Sequence, residues 1–204
     1  MSRPLRTYLN PSSLVNVIGV PKKMAGMSLD DFEVDSEARE KVKDFAVEYV
    51  ENMDSYFDEG KGIYFYGSNG VGKTFLACII LKEAYRRRYE CKRVTFMDYC
   101  SVYTRVWDAG NLSERESLEE KLYTNYKATE FLLLEEIGKG VENSTTIPIL
   151  EDLLRYREDK GLVTIFCTNI HPNKIKELYG NSVYSLITGN SIPVMMEDRD
   201  RRRD

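Results

Sequence analysis

The 204-residue chain has one histidine, one tryptophan and four cysteines, and each scarcity excludes something. A single His171 does not build a metal site alone. It stands between an apolar run and Pro172 and reads as a loop or capping residue. Cys78, Cys91, Cys100 and Cys167 show neither C-x-x-C nor C-x-x-H spacing. A zinc site is therefore not expected, and reduced thiols in the core are. No run of about 18 apolar residues occurs, so neither a membrane span nor a membrane partner is expected. The opening MSRPLRTYLNPSS lacks the apolar stretch of a signal peptide, which makes the cytoplasm the expected location. Internal repeats and low-complexity segments are also missing. Positive charge is not in excess, since the net charge is −4, so nucleic-acid binding would have to be local. Two basic clusters exist, Arg86–Arg88 with Lys92 and Arg93, and Arg199 with Arg201–Arg203. Asp198, Asp200 and Asp204 dilute the second. Both clusters read equally as phosphate contacts or as solvated charge.

What is present fits one domain. Residues 1–35 read as an irregular N-terminal arm punctuated by Pro4, Pro11 and Pro21, residues 36–195 as the core, and 196–204 as a charged tail. A helix is expected from about Glu37, capped by Ser36 or Asp35, with Ala38, Val42, Phe45, Tyr49 and Met53 on one apolar face. Short apolar runs at Ile63–Tyr66, Val94–Met97, Phe131–Leu134 and Leu162–Cys167 predict buried strands, and Ile192–Met195 a possible edge strand. Gly138 and Gly140 break the third of these runs. Helices are expected at about Lys73–Tyr89, within the charged region Tyr99–Tyr126, and at about Thr146–Lys160. A short helix should follow Pro172, with a turn around Gly189 and Asn190. Strands alternating with helices imply an α/β fold with a mostly parallel sheet covered on both faces.

The chemistry concentrates in three places. Gly67-Ser68-Asn69-Gly70-Val71-Gly72-Lys73-Thr74 fits G-x-x-x-x-G-K-[ST], with a strand before it and a helix after it. Glycines let backbone N–H groups approach phosphate oxygens, and the helix N-terminus favours the same anion. Lys73 has the reach for the β- and γ-phosphates, and the Thr74 hydroxyl suits Mg²⁺. These eight residues and Phe75 are the candidate nucleotide-binding set. Glu135 and Glu136 end the most apolar strand, where a parallel sheet presents ligands at its carboxyl edge. One acid there suits Mg²⁺ and the next the attacking water. Asn169, at the end of the following strand, offers an amide to the γ-phosphate or to water.

These elements in this order resemble the AAA+ ATPases. More closely, they are similar to the DnaC/DnaI-type helicase loaders and the IstB-type transposition ATPases. The resemblance rests on "YGSNGVGKTFLACII", "FLLLEEIG", "LEDLLRYREDKGLVTIFCTNI" and "YGNSVYSLITGNSIPV", with the approach "IGVPKKMAGMSLDDF". It implies a P-loop NTPase of AAA+ type, a three-layer α/β/α sandwich with a five-stranded, mostly parallel sheet in the order 5-1-4-3-2; the residues after 190 leave no room for the lid domain of larger AAA+ proteins, so a C-terminal lid is not expected. It implies ATP and Mg²⁺, with Lys73, Glu136 and Asn169 as catalytic residues and Thr74 and Glu135 as metal ligands. The implied partners are a replicative helicase or a transposase, single- or double-stranded DNA, and further copies of the chain. DNA contact would fall near Tyr99–Tyr126. The implied function is helicase loading in DNA replication. The alternatives are an IstB/TnsC-like transposition regulator or a nucleotide-gated adaptor with little turnover. A small-molecule kinase would need an acceptor site and basic lid residues that are not seen.

Two positions depart from the family. Glu135 stands where the family usually has Asp, and one methylene displaces a carboxylate by about 1.5 Å. Leu186 stands where the family tends to carry an arginine that reaches a neighbouring subunit. Weak hydrolysis is therefore expected. Arg155 and Arg157 are the substitute arginines to consider, and Arg199 a second sensor.

Overall fold

The strands form because short runs rich in β-branched, aromatic and leucine side chains lie between glycine-bearing turns. In the computed structural model, which describes residues 5, 6, 8–138 and 145–197, there are five. They are β1 (Gly62–Gly67), β2 (Cys91–Thr95), β3 (Phe131–Glu135), β4 (Val163–Thr168) and β5 (Ser191–Met196). They make one sheet in the order β2-β3-β4-β1-β5, the expected order read from its other edge. Every neighbouring pair is parallel. The helices are α1 (Pro11–Ser13), α2 (Glu37–Glu51), α3 (Met53–Asp58), α4 (Lys73–Arg86), α5 (Phe96–Trp107), α6 (Leu112–Leu122), α7 (Thr146–Asp159) and α8 (Pro172–Asn190).

Strand periodicity builds the three layers. Ile63, Phe65, Phe131, Leu133, Ile165 and Cys167 pack on one face, with α2 and α4. Tyr64, Leu132, Leu134 and Phe166 pack on the other, with α5 to α8. Successive side chains of a strand point to opposite faces, so a continuous apolar run signals a sheet covered on both sides. Parity also aims Glu135, which follows Leu134, toward the α4 face.

Three local expectations change. The second strand ends at Thr95, because the Thr95 hydroxyl accepts the Asp98 N–H at 3.1 Å and caps α5. Phe96 and Met97 are therefore helical despite their strand propensity. The short helix expected after Pro172 continues to Asn190, broken only at Gly180, whose φ of 84° and ψ of 174° are not helical. His171 caps its start, Nδ1 accepting the Asn173 N–H at 3.2 Å. On α2, capped by Ser36, Ala38 is exposed while Arg39 and Ala46 are buried.

The arm is not loose on this body. Leu14, Ile18, Val20 and Phe32 are buried in the cluster on the α4 face. Lys82 of α4 donates to the carbonyls of Met24 and Met27, Lys92 to Val17 O, and Arg93 to Gly19 O. Much of the first basic cluster thus serves internal contacts: Arg86 pairs with Glu83, and Arg87 donates to Val50 O. Gly140, Arg199 and Arg201–Arg203 lie outside the described residues. Within the described residues, no helix is long and apolar enough to cross a membrane.

Candidate nucleotide site

The glycine loop turns between β1 and α4 with Gly67, Gly70 and Gly72 all at positive φ. At Gly67 a Cβ would fall 1.9 Å from the Met196 carbonyl oxygen of β5, so only glycine fits there. Gly72, at φ 105°, starts α4 and leaves its first N–H groups free of a side-chain cap. Lys73, mostly buried, folds back over the loop. Its Nζ donates to Gly67 O at 2.8 Å, Ser68 O at 2.5 Å and Asn169 Oδ1 at 2.9 Å. The Asn169 amide then donates to Asn69 Oδ1 at 2.9 Å. The expected sensor residue and the phosphate loop are thus in direct contact.

Glu135 ends β3 on the α4 face and is buried. Its Oε1 accepts the Thr74 hydroxyl at 2.6 Å. Its Oε2 forms an ion pair with Arg93 of β2. Glu136 follows with φ 60°, a left-handed conformation uncommon outside glycine, and its N–H donates to Cys167 O at 2.8 Å. That turn lifts the Glu136 side chain off the sheet, where it is exposed. The Thr168 hydroxyl donates to Ile137 O at 2.8 Å and ties the two strand-end loops together.

The result is a cleft of about 340 Å³ at the carboxyl edge of the strands, with Asn69, Lys73, Thr74, Glu135, Glu136 and Asn169 among its walls. An adjoining groove runs between the arm and the loop, walled by Pro21, Lys23, Met24, Gly70, Gly72 and Phe75. Phe75 stacks on Phe32 with ring centroids 6.1 Å apart. Ser68 is exposed on the outer side of the loop, and Val71 is fully buried beneath it.

The family described as "ATPase family associated with various cellular activities (AAA)" matches residues 63–191, from β1 to the start of β5. The chain belongs to this AAA family. It is similar to the replicative helicase loader DnaI of Bacillus subtilis (strain 168), 26% identical over 181 residues, covering 86% of this chain and 54% of that protein. It is also similar to the replicative helicase loader DnaC of Buchnera aphidicola subsp. Baizongia pistaciae (strain Bp). That match is 24% identical over 179 residues, 85% of this chain and 68% of the relative. A crystal structure of the DnaC helicase loader superposes with a TM-score of 0.73 at 21% identity, covering 87% of this chain and all of that one. The chain thus spans about half the length of the DnaI relative.

Within this AAA frame the donor set can be tested against Mg²⁺. Hard divalent cations take oxygen ligands. Thr74 Oγ1 and Glu135 Oε1 are two such oxygens, already 2.6 Å apart, so the residues fit the ion. Glu135 offers it one oxygen, because Arg93 engages the other.

Sequence reasoning missed two residues of this site. In the sequence Arg93 falls in a basic cluster, and only strand register brings it to Glu135. Arg39, buried on α2, donates to Val71 O at 3.0 Å and to Glu33 O at 2.7 Å, bracing the loop from behind. Its guanidinium lies 4.2 Å from the Phe32 ring centroid. No motif marks it; an arginine among the apolar positions of a helix is the only signal. Arg157, considered as a substitute finger, is corrected: it is 1% exposed and lies where β3 and β4 begin, far from the cleft. Arg155 is exposed but bonded to Glu151 and Ser182. Leu186 is buried in the core on the inner face of α8.

Proposed function

We propose that the chain binds ATP with Mg²⁺ and acts as a loader of a replicative helicase, hydrolysing nucleotide slowly. The observation that carries this reading is the convergence of Lys73, Thr74, Glu135, Glu136 and Asn169 on one cleft. The similarity to two helicase loaders along most of the chain supports it. Lys73 would exchange carbonyl acceptors for phosphate oxygens, a charge-assisted bond in place of neutral ones. Asn169, released by Lys73 at that moment, would turn its amide to the terminal phosphate. Glu136 would accept the proton of the attacking water. Thr74 and Glu135 would hold Mg²⁺, which when bound withdraws charge from the phosphate oxygens. The groove between Met24 and Phe75 has the apolar walls that a purine ring needs.

DNA contact near Tyr99–Tyr126 belongs to the same proposal. Trp107 and Tyr123 are exposed there, 66% and 50%, in a stretch where Glu114, Glu116, Glu119 and Glu120 outnumber Arg105, Arg115 and Lys121. Base stacking rather than phosphate neutralisation would carry such binding. Self-association with nucleotide or DNA is proposed on the family resemblance alone.

Affinity capture of the replicative helicase tests the loader reading. Wild type should retain it with ATP, and Lys73→Ala should not. No retention under any nucleotide sinks the loader reading. Retention indifferent to ATP and to Lys73→Ala removes the phosphate-loop role. A second reading, a nucleotide-gated adaptor that barely turns over, is favoured by the Arg93–Glu135 contact and the burial of Leu186. Steady-state turnover well above about 1 s⁻¹ without a partner argues against it.

A further inference from the structure

We propose that Arg93 is a built-in cation of the nucleotide site, which lets the chain hold nucleotide without a divalent metal. The inference rests on the nucleotide-site reading above and goes beyond it.

The register of the sheet brings Arg93 there. β2 pairs with β3 so that Arg93 opposes Leu133 and Thr95 opposes Glu135. Leu133 belongs to the α4 face, and Arg93, directly beside it, projects along that face toward the carboxylate two positions on. Its guanidinium is held at two corners. Nη2 pairs with Glu135 Oε2, and Nη1 donates to Gly19 O at 3.2 Å. The Nε–H is buried with no hydrogen-bond partner among the described residues. Arg93 also walls both the phosphate-side cleft and the arm-side groove. A charged side chain fixed at two points and walling both halves of the site is placed to meet an anion.

Electrostatics gives the arrangement its consequence. The Glu135 side chain is 5% exposed, and a buried carboxylate beside a phosphate cradle repels the ligand unless a cation offsets it. Lys73 is the cation of the phosphate loop itself, and Arg93 adds a second one beside the carboxylate, where a divalent metal would otherwise serve. The Arg93 guanidinium, paired with Glu135, supplies that offset from within the chain. Glu135 reaches Thr74 with one oxygen and Arg93 with the other, at the end of a side chain one methylene longer than that of Asp.

Nucleotide titration of the purified full chain, by calorimetry or with a fluorescent ATP analogue, tests this in excess Mg²⁺ and in EDTA. Wild-type affinity should differ by less than about threefold between the two conditions. Arg93→Met should weaken binding in both conditions, and by at least about tenfold more in EDTA than in Mg²⁺. Arg93→Lys, which keeps the charge, should resemble wild type. A wild type that loses more than about tenfold in EDTA overturns the inference while leaving the nucleotide site standing. An Arg93→Met that weakens equally in both conditions also overturns it, since that is the mark of a merely structural residue. A wild type that binds no nucleotide in either condition overturns the nucleotide-site reading and this inference with it. The wild-type comparison holds even if Arg93→Met proves too unstable to purify.

Discussion

Arg157 donates from Nε to the Thr164 hydroxyl and from its two amino groups to the carbonyls of Tyr126, Lys127, Thr129, Glu130 and Val163. Burial pushes its guanidinium down to about 9, still above neutrality, so it enters the fold charged and is compensated by oxygens. Those carbonyls close the loop before β3 and open β4, so the arginine sets where two central strands begin. Arg157→Met should lower unfolding free energy by at least about 3 kcal/mol in urea titrations, because several buried acceptors lose their donor. Arg155→Met, two residues away but exposed and paired only at the surface, should stay within about 0.5 kcal/mol. Equal stability of the two variants, with turnover lost in Arg157→Met alone, would return Arg157 to the reacting centre.

At the scale of elements, the arm is the part the sequence reveals least. It has no 3.6-residue or two-residue periodicity. Its anchors, Leu14, Ile18 and Val20, are spaced by a short π-helical turn at Leu14–Ile18 that ends on Gly19. Ile18 is fully buried in the cluster on the α4 face, while Val17 beside it is 53% exposed. Ile18→Ala should cost about 2–4 kcal/mol, and Val17→Ala less than about 0.5 kcal/mol, by chemical denaturation. Matching small effects would mean that the arm does not pack in solution. The contrast with the strands is physical. Phe131–Leu134 lies between two apolar layers, so continuous hydrophobicity alone identifies it. The helix after the phosphate loop, the acids at 135 and 136 and the asparagine at 169 were legible for a related reason, since each sits at a strand end whose position follows from the apolar run before it. The β2–α5 boundary was not legible, because a threonine cap overrode the strand propensity of Phe96 and Met97. Nor was the Arg93–Glu135 pair, which depends on register between strands about 40 residues apart, a long-range fact that no local pattern encodes.

The whole molecule places its polar chemistry at one edge of a fully parallel sheet and a stabilising arginine at the other. Among the described residues, the cations that wall the cleft are Lys73 and Arg93, and no arginine of α8 joins them. Leu186 lies 6% exposed on the inner face of α8, packed in the core with Leu154 and Phe166. An arginine introduced there would force a longer, charged side chain into packed core, so Leu186→Arg should destabilise the chain by about 1–3 kcal/mol instead of restoring a finger. Wild-type turnover per subunit should accordingly stay flat as protein concentration is raised through any self-association seen by sedimentation, because copies bring no arginine from that position. A finger supplied between subunits is worth a factor of about 10³ or more, so its effect would be plain in such a series. A steep rise in turnover per subunit with assembly would mean that another exposed cation reaches the neighbouring cleft. Arg155, surface-placed on α7 with a side chain 56% exposed, is then the first to replace. A flat series, with turnover rising when a partner protein is added but not with DNA alone, is the expected outcome and assigns the added cation to that protein, since DNA carries none.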